Sequence, residues 1–404
     1  MADFGPVTCA GCGLLCDDVT VERPNGDVRL QPPCPLGVQW FSERLRRPAP
    51  APATISGQPA DVQTALTRAA GLLRRSRRPL LYGFEAATVE DARAAVALAD
   101  RLEALIATES VSASWTGAPA VPLRGTSTAT LGEIRDRSRL VIVWREDPET
   151  THPRLLERIG FEGGASSRLG AKRRLLVVDD RETTTARRAD LRLRWARERD
   201  LDALTTLHLM QRRLRPASDV EGELVALLEH INEVPHIAFV YGGGLTNGAG
   251  GQRRALALHE LVRALCHERH VVTLALPRGT GTTGAQDVLA WQTGYCPNVD
   301  LSSGHPELAT ATQPLAADQE GVDVALRIEG AQARLPAGAA EIALCSAPAG
   351  ADVDVSIRTA AAGVEAAGTA HRLDGVPLTL QAPLAGDAPT AAALLTRLLA
   401  EIER

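Results

Sequence analysis

Four of the seven cysteines lie near the start of the chain, at a spacing that suits a metal cofactor. Cys9, Cys12 and Cys16 are close neighbours, and Cys34 follows further on. Three clustered thiolates with a distant fourth are typical of a cubane iron–sulfur cluster, which four cysteines hold. A structural zinc site more often has two Cys-x2-Cys pairs. The spacing favours an iron–sulfur cluster and leaves zinc, or buried cysteines without metal, as alternatives.

A glycine-rich turn between a predicted strand and a predicted helix could bind a phosphate group. Its glycines are Gly242, Gly243, Gly244, Gly248, Gly250 and Gly251. Backbone N–H groups in such a turn can cradle a phosphate where the helix begins. However, the spacing is not Gly-x-Gly-x-x-Gly and no Walker lysine follows, so an ordinary tight turn explains these glycines as well.

His152 is a candidate ligand contact because it follows a predicted strand, where α/β proteins often bind ligands. A hydrogen bond within the fold is the simpler explanation for a single histidine. His267 and His270 could bind a metal at positions i and i+3, but they lie at a predicted helix end, where cations that stabilise the helix dipole are the simpler interpretation. The sequence shows no Ser-His-Asp constellation and no nucleophile elbow.

The elements that would position these residues alternate between short β-type runs and helical patterns. The predicted strands cover residues 79–84, 105–108, 140–144, 175–179, 236–241, 271–276, 341–345 and 353–357. The predicted helices cover residues 89–102, 253–267 and 390–403. This alternation predicts an α/β protein whose parallel sheets are covered by helices.

A stretch rich in proline and alanine at residues 47–59 has the composition of a linker. It predicts the end of a small Cys-rich N-terminal lobe at residues 1–50. We expect two larger α/β lobes after it. Residues 51–135 together with 335–404 form the first, and residues 136–334 form the second, which is Rossmann-like.

The composition limits the possible partners. The chain has 404 residues with 45% hydrophobic composition, enough to build buried cores. Its net charge of -5 provides no basic excess for nucleic acid. The apolar runs are far shorter than the roughly 20 residues of a membrane span, so we expect no membrane association. The sequence opens without a secretory signal, which predicts a reducing compartment, the cytoplasm.

Three stretches carry a resemblance to a known family. The first is Cys-x2-Cys-Gly-x2-Cys-Asp-Asp at residues 9–18. The second is Val-Val-Asp-Asp-Arg at residues 177–181, followed by Thr183 and Thr185. The third is Gly-Val-Glu-Ala-Ala-Gly-Thr-Ala at residues 363–370. With these motifs, nearly the whole chain resembles the B subunit of formylmethanofuran dehydrogenase, within the molybdopterin oxidoreductase superfamily.

The resemblance implies a multi-lobed, molybdopterin-oxidoreductase-like fold without a C-terminal barrel domain. It also implies that Cys9, Cys12, Cys16 and Cys34 are the ligands of a [4Fe–4S] cluster.

A vestige of the pterin-dinucleotide site is expected on the second half of the chain. The residues assigned to it are Asp179, Arg181, Thr185, Gly243 and Gly244.

Substitutions at the expected catalytic positions indicate that the redox site is lost. The family has a metal-ligating Cys followed by His, and these positions align with Thr116 and Gly117. A Thr hydroxyl is a poor ligand for a soft metal, and Gly cannot transfer a proton. We therefore expect no molybdopterin guanine dinucleotide and no molybdenum or tungsten. Arg278 and His152 match retained family positions, either as remnants or as structural residues.

A further departure lies in the family's Trp-Gly-Cys-Asn-Pro turn. This chain has Trp-Arg-Glu-Asp-Pro at residues 144–148, so Arg145 replaces a small glycine. Close approach of a cofactor to the backbone is put in doubt there.

Together, the matches and departures predict a redox-inactive scaffold subunit of a formyltransferase/hydrolase complex in tetrahydromethanopterin-linked one-carbon metabolism. Its partners would be A-, C- and D-type subunits, of which the A-type hydrolyses the formyl group to formate and the D-type transfers it to a methanofuran-like carrier. Two alternatives stay open. One is an active molybdenum or tungsten subunit that interconverts carbon dioxide and formate, and the other is an iron–sulfur electron-transfer subunit.

Overall fold

The structure is a computed structural model that describes most of the chain in two compact units. The described residues are 4–24, 27–46, 51–108, 121–161, 173–309, 321–350, 352–384 and 386–404. Unit 1 comprises Met1–Ser112 and Arg278–Arg404, and unit 2 comprises Ala113–Pro277. These limits differ from the lobes drawn from the sequence, since the N-terminal lobe and residues 278–334 both belong to unit 1.

The strands of the described residues form four sheets. In chain order they are β1 Phe4–Val7, β2 Val19–Glu22, β3 Arg29–Gln31, β4 Ala53–Ile55, β5 Gln58–Ala60, β6 Pro79–Gly83, β7 Leu105–Ala107, β8 Leu140–Trp144, β9 Arg174–Val178, β10 Leu191–Leu193, β11 His236–Gly242, β12 His270–Leu276, β13 Asn298–Asp300, β14 Glu307–Leu308, β15 Val324–Ile328, β16 Ala340–Cys345, β17 Val355–Arg358, β18 Gly368–His371 and β19 Pro377–Leu380.

The α-helices lie between these strands. In chain order they are α1 Pro35–Arg46, α2 Val62–Arg75, α3 Val89–Arg101, α4 Val121–Arg124, α5 Leu131–Arg137, α6 Pro148–Thr151, α7 Leu155–Arg158, α8 Thr184–Arg188, α9 Asp200–Gln211, α10 Gly222–Asn232, α11 Gly243–Thr246, α12 Gly251–Leu265, α13 Thr282–Thr293 and α14 Ala391–Ile402. None of them has both the length and the apolar character that a bilayer crossing requires, as far as the described residues extend.

Unit 2 is built on a five-stranded sheet in the order β10-β9-β8-β11-β12, with every neighbouring pair parallel. The apolar runs of β8 and β12 suit strands that are covered on both faces. From β8 the chain continues to β9 and β10 on one side, and β11 and β12 lie on the other. The order therefore reverses between β8 and β11, a position where open parallel sheets commonly bind ligands.

Unit 1 contains a nine-stranded sheet in the order β14-β13-β7-β6-β15-β16-β17-β4-β5. The strands from β7 to β17 are parallel, and antiparallel strands complete both edges. Residues of α2, α3, α13 and α14 join the strands in one large apolar core. The strand order reverses here as well, between β6 and β15, so each unit has its own switch point.

The N-terminal strands β1 to β3 form a small antiparallel sheet that packs within unit 1. The Thr8 hydroxyl donates to the Thr379 carbonyl at 2.8 Å, and the Leu373 N–H donates to the Gly13 carbonyl at 2.9 Å. Ala10 and Leu15 share a small apolar cluster with Leu380 of β19. The Cys-rich segment therefore rests on the C-terminal β18–β19 hairpin.

The predicted α/β class, with parallel sheets covered by helices, is confirmed. The linker prediction is wrong for residues 53–59, because β4 and β5 form a hairpin there and β4 pairs with β17. Gly57 has a φ of +77° in the turn of this hairpin, a backbone conformation that favours glycine.

Candidate functional site

The candidate site of unit 2 lies at the carboxyl ends of β8, β9 and β11. The segments that follow these strands are residues 145–148, 179–185 and 243–246, and the last of them is the short helix α11. The sequence-predicted residues Asp179, Arg181, Thr185, Gly243 and Gly244 fall in these segments, and parallel pairing brings the segments to one edge of the sheet.

Asp179 and Arg181 form a salt bridge directly after β9. The buried Asp179 carboxylate accepts hydrogen bonds from the Arg181 backbone N–H at 2.9 Å and from its guanidinium at 3.1 and 2.9 Å. Burial would raise the pKa of Asp179, but the hydrogen bonds and charge of Arg181 outweigh it and hold this pKa below its usual range. The Arg181 side chain remains 63% exposed.

Thr185 connects the turn after β9 to the turn after β8. It is fully buried, and its hydroxyl and backbone N–H donate to the same Asp147 oxygen at 2.6 and 2.9 Å. Burial raises the pKa of Asp147, yet the hydrogen bonds from Thr185 outweigh it and the pKa is lowered. Thr185 thus has a structural partner within the chain.

Arg145 follows β8 with its side chain buried inside unit 2. Its φ of +54° lies in the left-handed region, which explains a glycine at this position in the family that the sequence resembles. The guanidinium donates to Asp200 at 2.9 and 3.0 Å and to the Trp195 carbonyl at 2.6 Å. Asp200 is itself fully buried and also accepts from the Trp195 indole N–H at 2.9 Å. The turn therefore keeps the left-handed backbone conformation that suits glycine, and the Arg145 side chain forms a buried ion pair with Asp200.

The glycine turn after β11 packs against the turn after β8. A Cβ added to Gly244 would lie 1.7 Å from the Arg145 carbonyl oxygen, and one added to Gly242 would lie 2.0 Å from Glu146 Oε2. Gly243 begins α11, where its carbonyl accepts from the Asn247 N–H at 2.9 Å. The backbone contact therefore requires glycine at 244, and at 242 the Glu146 side chain occupies the space a Cβ would need, so both glycines are covered where a phosphate would approach.

Arg254 holds the rest of this glycine turn. Its guanidinium donates to the carbonyls of Leu245, Asn247 and Ala249 at 2.6, 2.8 and 3.0 Å. Burial lowers the pKa of Arg254, and the charge of Arg197 lowers it further. The carbonyls of the loop are thus satisfied within the protein.

The four N-terminal cysteines lie on one part of unit 1. All seven cysteines of the chain are described, and none forms a disulfide. The Cys9 N–H donates to the Cys16 carbonyl at 2.8 Å, and the Gly11 N–H lies 3.4 Å from Cys9 Sγ. A Cβ on Gly37 of α1 would lie 2.5 Å from Leu30 Cδ1 and 3.1 Å from Cys9 Sγ, so this glycine lets α1 pack closely against Leu30 and Cys9.

Electrostatics also place the four thiols near one another. Burial raises the pKa of Cys12, and the neighbouring Cys16, Cys9 and Cys34 each raise it further. Within the described ranges, however, no group of three or more His, Cys, Asp or Glu side chains is arranged to hold a metal ion. The four thiols therefore lie near one another but are not arranged as a formed metal site. The iron–sulfur cluster stays a prediction.

The remaining candidates are divided between the units or lie outside the description. His152 is buried in unit 2, where its backbone N–H donates to the Pro148 carbonyl at 2.7 Å and its ring Nδ1 lies 3.1 Å from the Thr151 hydroxyl. Arg278 is exposed and belongs to unit 1, and its carbonyl accepts from the Thr282 hydroxyl at 2.8 Å. Thr116 and Gly117 lie outside the described residues.

No family model matches the chain. It is 28% identical to the B subunit of tungsten-containing formylmethanofuran dehydrogenase 2 from Methanococcus maripaludis, over 94% of this chain and 94% of that protein. The protein of the same name from Methanocaldococcus jannaschii is 29% identical over 93% of this chain and 92% of its own length. The resemblance to the B subunit of formylmethanofuran dehydrogenase is confirmed.

Solved structures show the shared fold. A chain of the formyltransferase/hydrolase complex from Methylorubrum extorquens, solved in complex with methylofuran, matches with a TM-score of 0.69 and 24% identity over 87% of this chain and 98% of that chain. Acetylene hydratase from Pelobacter acetylenicus matches with a TM-score of 0.56 and 12% identity over 98% of this chain and 69% of that chain. These matches confirm the molybdopterin-oxidoreductase-like fold that the resemblance to formylmethanofuran dehydrogenase implies.

Sequence reasoning missed the partners that surround Arg145 in this chain. A charge buried in place of a glycine needs an opposite charge, so the substitution itself signals an acidic partner. The partner, Asp200, begins α9 and is 55 residues away in sequence. The contact of Glu146 with Gly242 was also missed, because it depends on the pairing of β8 with β11.

Proposed function

We propose that the chain is the B-type subunit of a formyltransferase/hydrolase complex and that it supports the complex without performing redox chemistry. The likeness to the B subunit of formylmethanofuran dehydrogenase along nearly the whole chain supports the subunit type. The fold shared with a chain of the Methylorubrum extorquens complex supports the kind of assembly.

The observation that supports the absence of redox chemistry is the packing of the turn after β8. The Arg145 carbonyl lies against Gly244, and the Glu146 carboxylate lies against Gly242. A pterin dinucleotide brings phosphates to such strand ends, where it needs accessible N–H groups and no negative charge. This turn offers covered glycines and a carboxylate, so the residues present do not fit the dinucleotide.

The sequence adds to this argument at the expected metal position. Thr116 and Gly117 stand where the family has a thiolate ligand and a proton-transferring histidine. Neither residue can take over that chemistry. We therefore propose that pterin, molybdenum and tungsten are absent from this subunit, although Asp179 and Arg181 remain in place.

The proposed role is to keep the active subunits of a cytoplasmic complex together. The A-type subunit would hydrolyse the formyl group to formate, the D-type would transfer it to a methanofuran-like carrier, and a C-type subunit would complete the assembly. A carrier that visits two active sites works best when both are within its reach, because tethering raises the effective concentration. A B-type chain without its own chemistry can still provide that proximity.

We also propose that Cys9, Cys12, Cys16 and Cys34 are the ligands of a [4Fe–4S] cluster with a structural role. The four thiols lie near one another, and Gly37 lets α1 pack close to Cys9. Bound iron offsets the repulsion between thiolates and contributes folding free energy to a lobe that has a small core of its own.

The test has two parts. The complex is purified anaerobically from its native host, and its iron, molybdenum, tungsten and pterin contents are measured. We expect iron but no pterin, whereas stoichiometric pterin with molybdenum or tungsten would identify an active redox subunit instead. A cluster that is reversibly reduced by a partner would identify an electron-transfer subunit.

The second part reconstitutes the complex with and without this chain. We expect the conversion of the formyl group to formate to slow when the chain is omitted, while the separate hydrolase and transferase half-reactions persist. An unchanged coupled rate would rule out the scaffold role.

A further inference from the structure

The switch point of unit 1 repeats an arrangement seen in unit 2. In unit 2, β8 is followed by Arg145 at a φ of +54° and then by Glu146. In unit 1, β6 is followed by Phe84 at a φ of +78° and then by Glu85. Each strand borders the reversal of its own sheet, and each is followed by one left-handed residue and one glutamate.

The two glutamates make equivalent contacts across the reversal. A Cβ on Gly242, which ends β11, would lie 2.0 Å from Glu146 Oε2. A Cβ on Gly330, just beyond β15, would lie 2.2 Å from Glu85 Oε2. In both sheets, the carboxylate therefore covers a glycine at or just beyond the end of the neighbouring parallel strand.

Surrounding groups hold both glutamates in place. The N–H groups of Thr280 and Gly281 donate to the Glu85 carbonyl at 2.7 and 2.9 Å, and the Ala331 N–H donates to its carboxylate at 3.3 Å. In unit 2, the Glu146 carboxylate accepts from the Asp147 N–H at 3.2 Å and from the Thr151 hydroxyl at 3.4 Å. Each carboxylate thus takes N–H donors that a bound anion would otherwise use.

The helix that follows β6 offers no substitute site. The Thr88 hydroxyl accepts from the Asp91 N–H at 3.1 Å, and the Asp91 carboxylate accepts from the Thr88 N–H at 2.9 Å. This capping box satisfies donors at the start of α3. The start of α3 is therefore already capped, and it is Glu85, not α3, that lies against Gly330.

We infer that Glu85 and Glu146 act as built-in anions at the two switch points, each filling the position that a ligand phosphate would take. The chain can then fold without such a ligand. This inference goes beyond the proposed function, because it concerns any phosphate-bearing ligand and does not depend on the partners of the chain. It also extends to unit 1 the conclusion drawn for unit 2, that a glutamate covers the backbone where a phosphate would bind.

Replacing either glutamate by glycine should leave an anion vacancy that inorganic phosphate fills. The full chain is prepared as wild type, Glu85→Gly, Glu146→Gly and the double variant, and its thermal midpoint is measured against phosphate concentration, with chloride keeping the ionic strength constant. We expect each single variant to melt lower than wild type and to regain stability as phosphate is added, since a ligand that binds only the folded state stabilises it. The double variant should show the larger recovery.

Two controls make the measurement specific. Glu103→Gly removes an exposed glutamate at a φ of +51° away from both switch points. Phosphate also stabilises proteins in general by its exclusion from their surface, so only recovery beyond that of wild type and Glu103→Gly counts. Glu146→Gln keeps the side-chain volume and should melt lower without regaining stability in phosphate.

Equal phosphate responses in wild type and in the glycine variants would overturn the inference. If a glycine variant does not fold in chloride, its recovery as folded protein in phosphate is the readout. A variant that stays unfolded in phosphate would also contradict the built-in anion.

Discussion

The Cys-rich segment of unit 1 and the switch point of unit 2 keep different parts of the site that the resemblance implies. The segment keeps all four cysteines close together, and Gly37 lets α1 pack against Cys9. The switch point keeps Asp179, Arg181 and Thr185, but Arg145 and Glu146 cover the glycines opposite. Ligand-type residues therefore persist in both regions, whereas accessible backbone is lost in one. A retained residue indicates a ligand only where the surface around it is also available.

The largest effect should come from breaking the ion pair that holds Arg145. Asp200→Asn removes the buried counter-charge of the Arg145 guanidinium and leaves only the half-exposed Asp180, and breaking a buried pair costs about 3–5 kcal/mol. We expect this loss in the free energy of unfolding, measured with urea and intrinsic fluorescence. Asp180→Asn is the matched control, because Asp180 also lies 3.1 Å from Arg145 but is 49% exposed. Its loss should stay below about 1 kcal/mol. Equal losses for the two variants would contradict a structural role of the Arg145 pair.

The second prediction tests the Cys-rich segment of unit 1 by removing one of its cysteines. If the four thiols hold a structural cluster, Cys12→Ser should lose iron and lower the thermal midpoint by about 5 °C or more. Iron analysis and thermal denaturation of anaerobically purified protein measure both effects. Cys266→Ser is the control, since Cys266 is exposed and lies outside the group. Iron retained at the wild-type level in Cys12→Ser would remove that residue from the ligand set.

A smaller effect is expected where the turns after β8 and β9 join. Thr185→Val removes the hydroxyl that donates to Asp147, and a hydrogen bond to a charged group is worth about 1.5–3 kcal/mol. The folded-state pKa of Asp147 is lowered from 3.8, so its stabilisation is present above that pH and is lost as the pH falls through the lowered value. The stability difference between wild type and Thr185→Val should therefore shrink in acid.

Urea unfolding near neutral pH and again below the ordinary pKa of Asp147 tests this pH dependence. Thr184→Val is the control, because the Thr184 side chain is exposed and its hydroxyl accepts from Arg187 at 3.3 Å. A difference between wild type and Thr185→Val that stays constant with pH would show that Asp147 is not the group involved.

The sequence predicted strands well where they are apolar throughout. β8 and β12 were found because their runs are hydrophobic. β15 was missed because it contains Arg327, a charged residue that interrupts the hydrophobic run of a buried strand. Its guanidinium donates to Glu341 of β16 at 2.8 Å, and both side chains are almost fully buried. Charge pairing between neighbouring strands thus conceals a central strand from any pattern based on hydrophobicity.

The two candidate sites also differ in how much of their arrangement the sequence alone could predict. Short spacing alone brought Cys9, Cys12 and Cys16 together, since local sequence limits how far apart they can lie. Glu146 and Gly242 are separated by 96 positions in the chain, and only the pairing of β8 with β11 makes them neighbours. The covering of the glycine turn therefore needed the topology of the sheet, which no motif within either segment specifies.

The last prediction concerns the two expected catalytic positions, where we expect a double substitution to have no effect on redox activity. Thr116→Cys combined with Gly117→His returns the two residues of the family pattern at positions outside the described structure. We expect no formate-dependent dye reduction from this double variant, because Glu146 still lies against Gly242 and the Arg145 carbonyl against Gly244. The parent chain serves as the baseline, and expression in a host that makes the molybdenum and tungsten cofactors removes cofactor supply as an explanation. Dye reduction above that baseline would mean that the covered turn still opens to a pterin, and that the lost thiolate alone silenced the site.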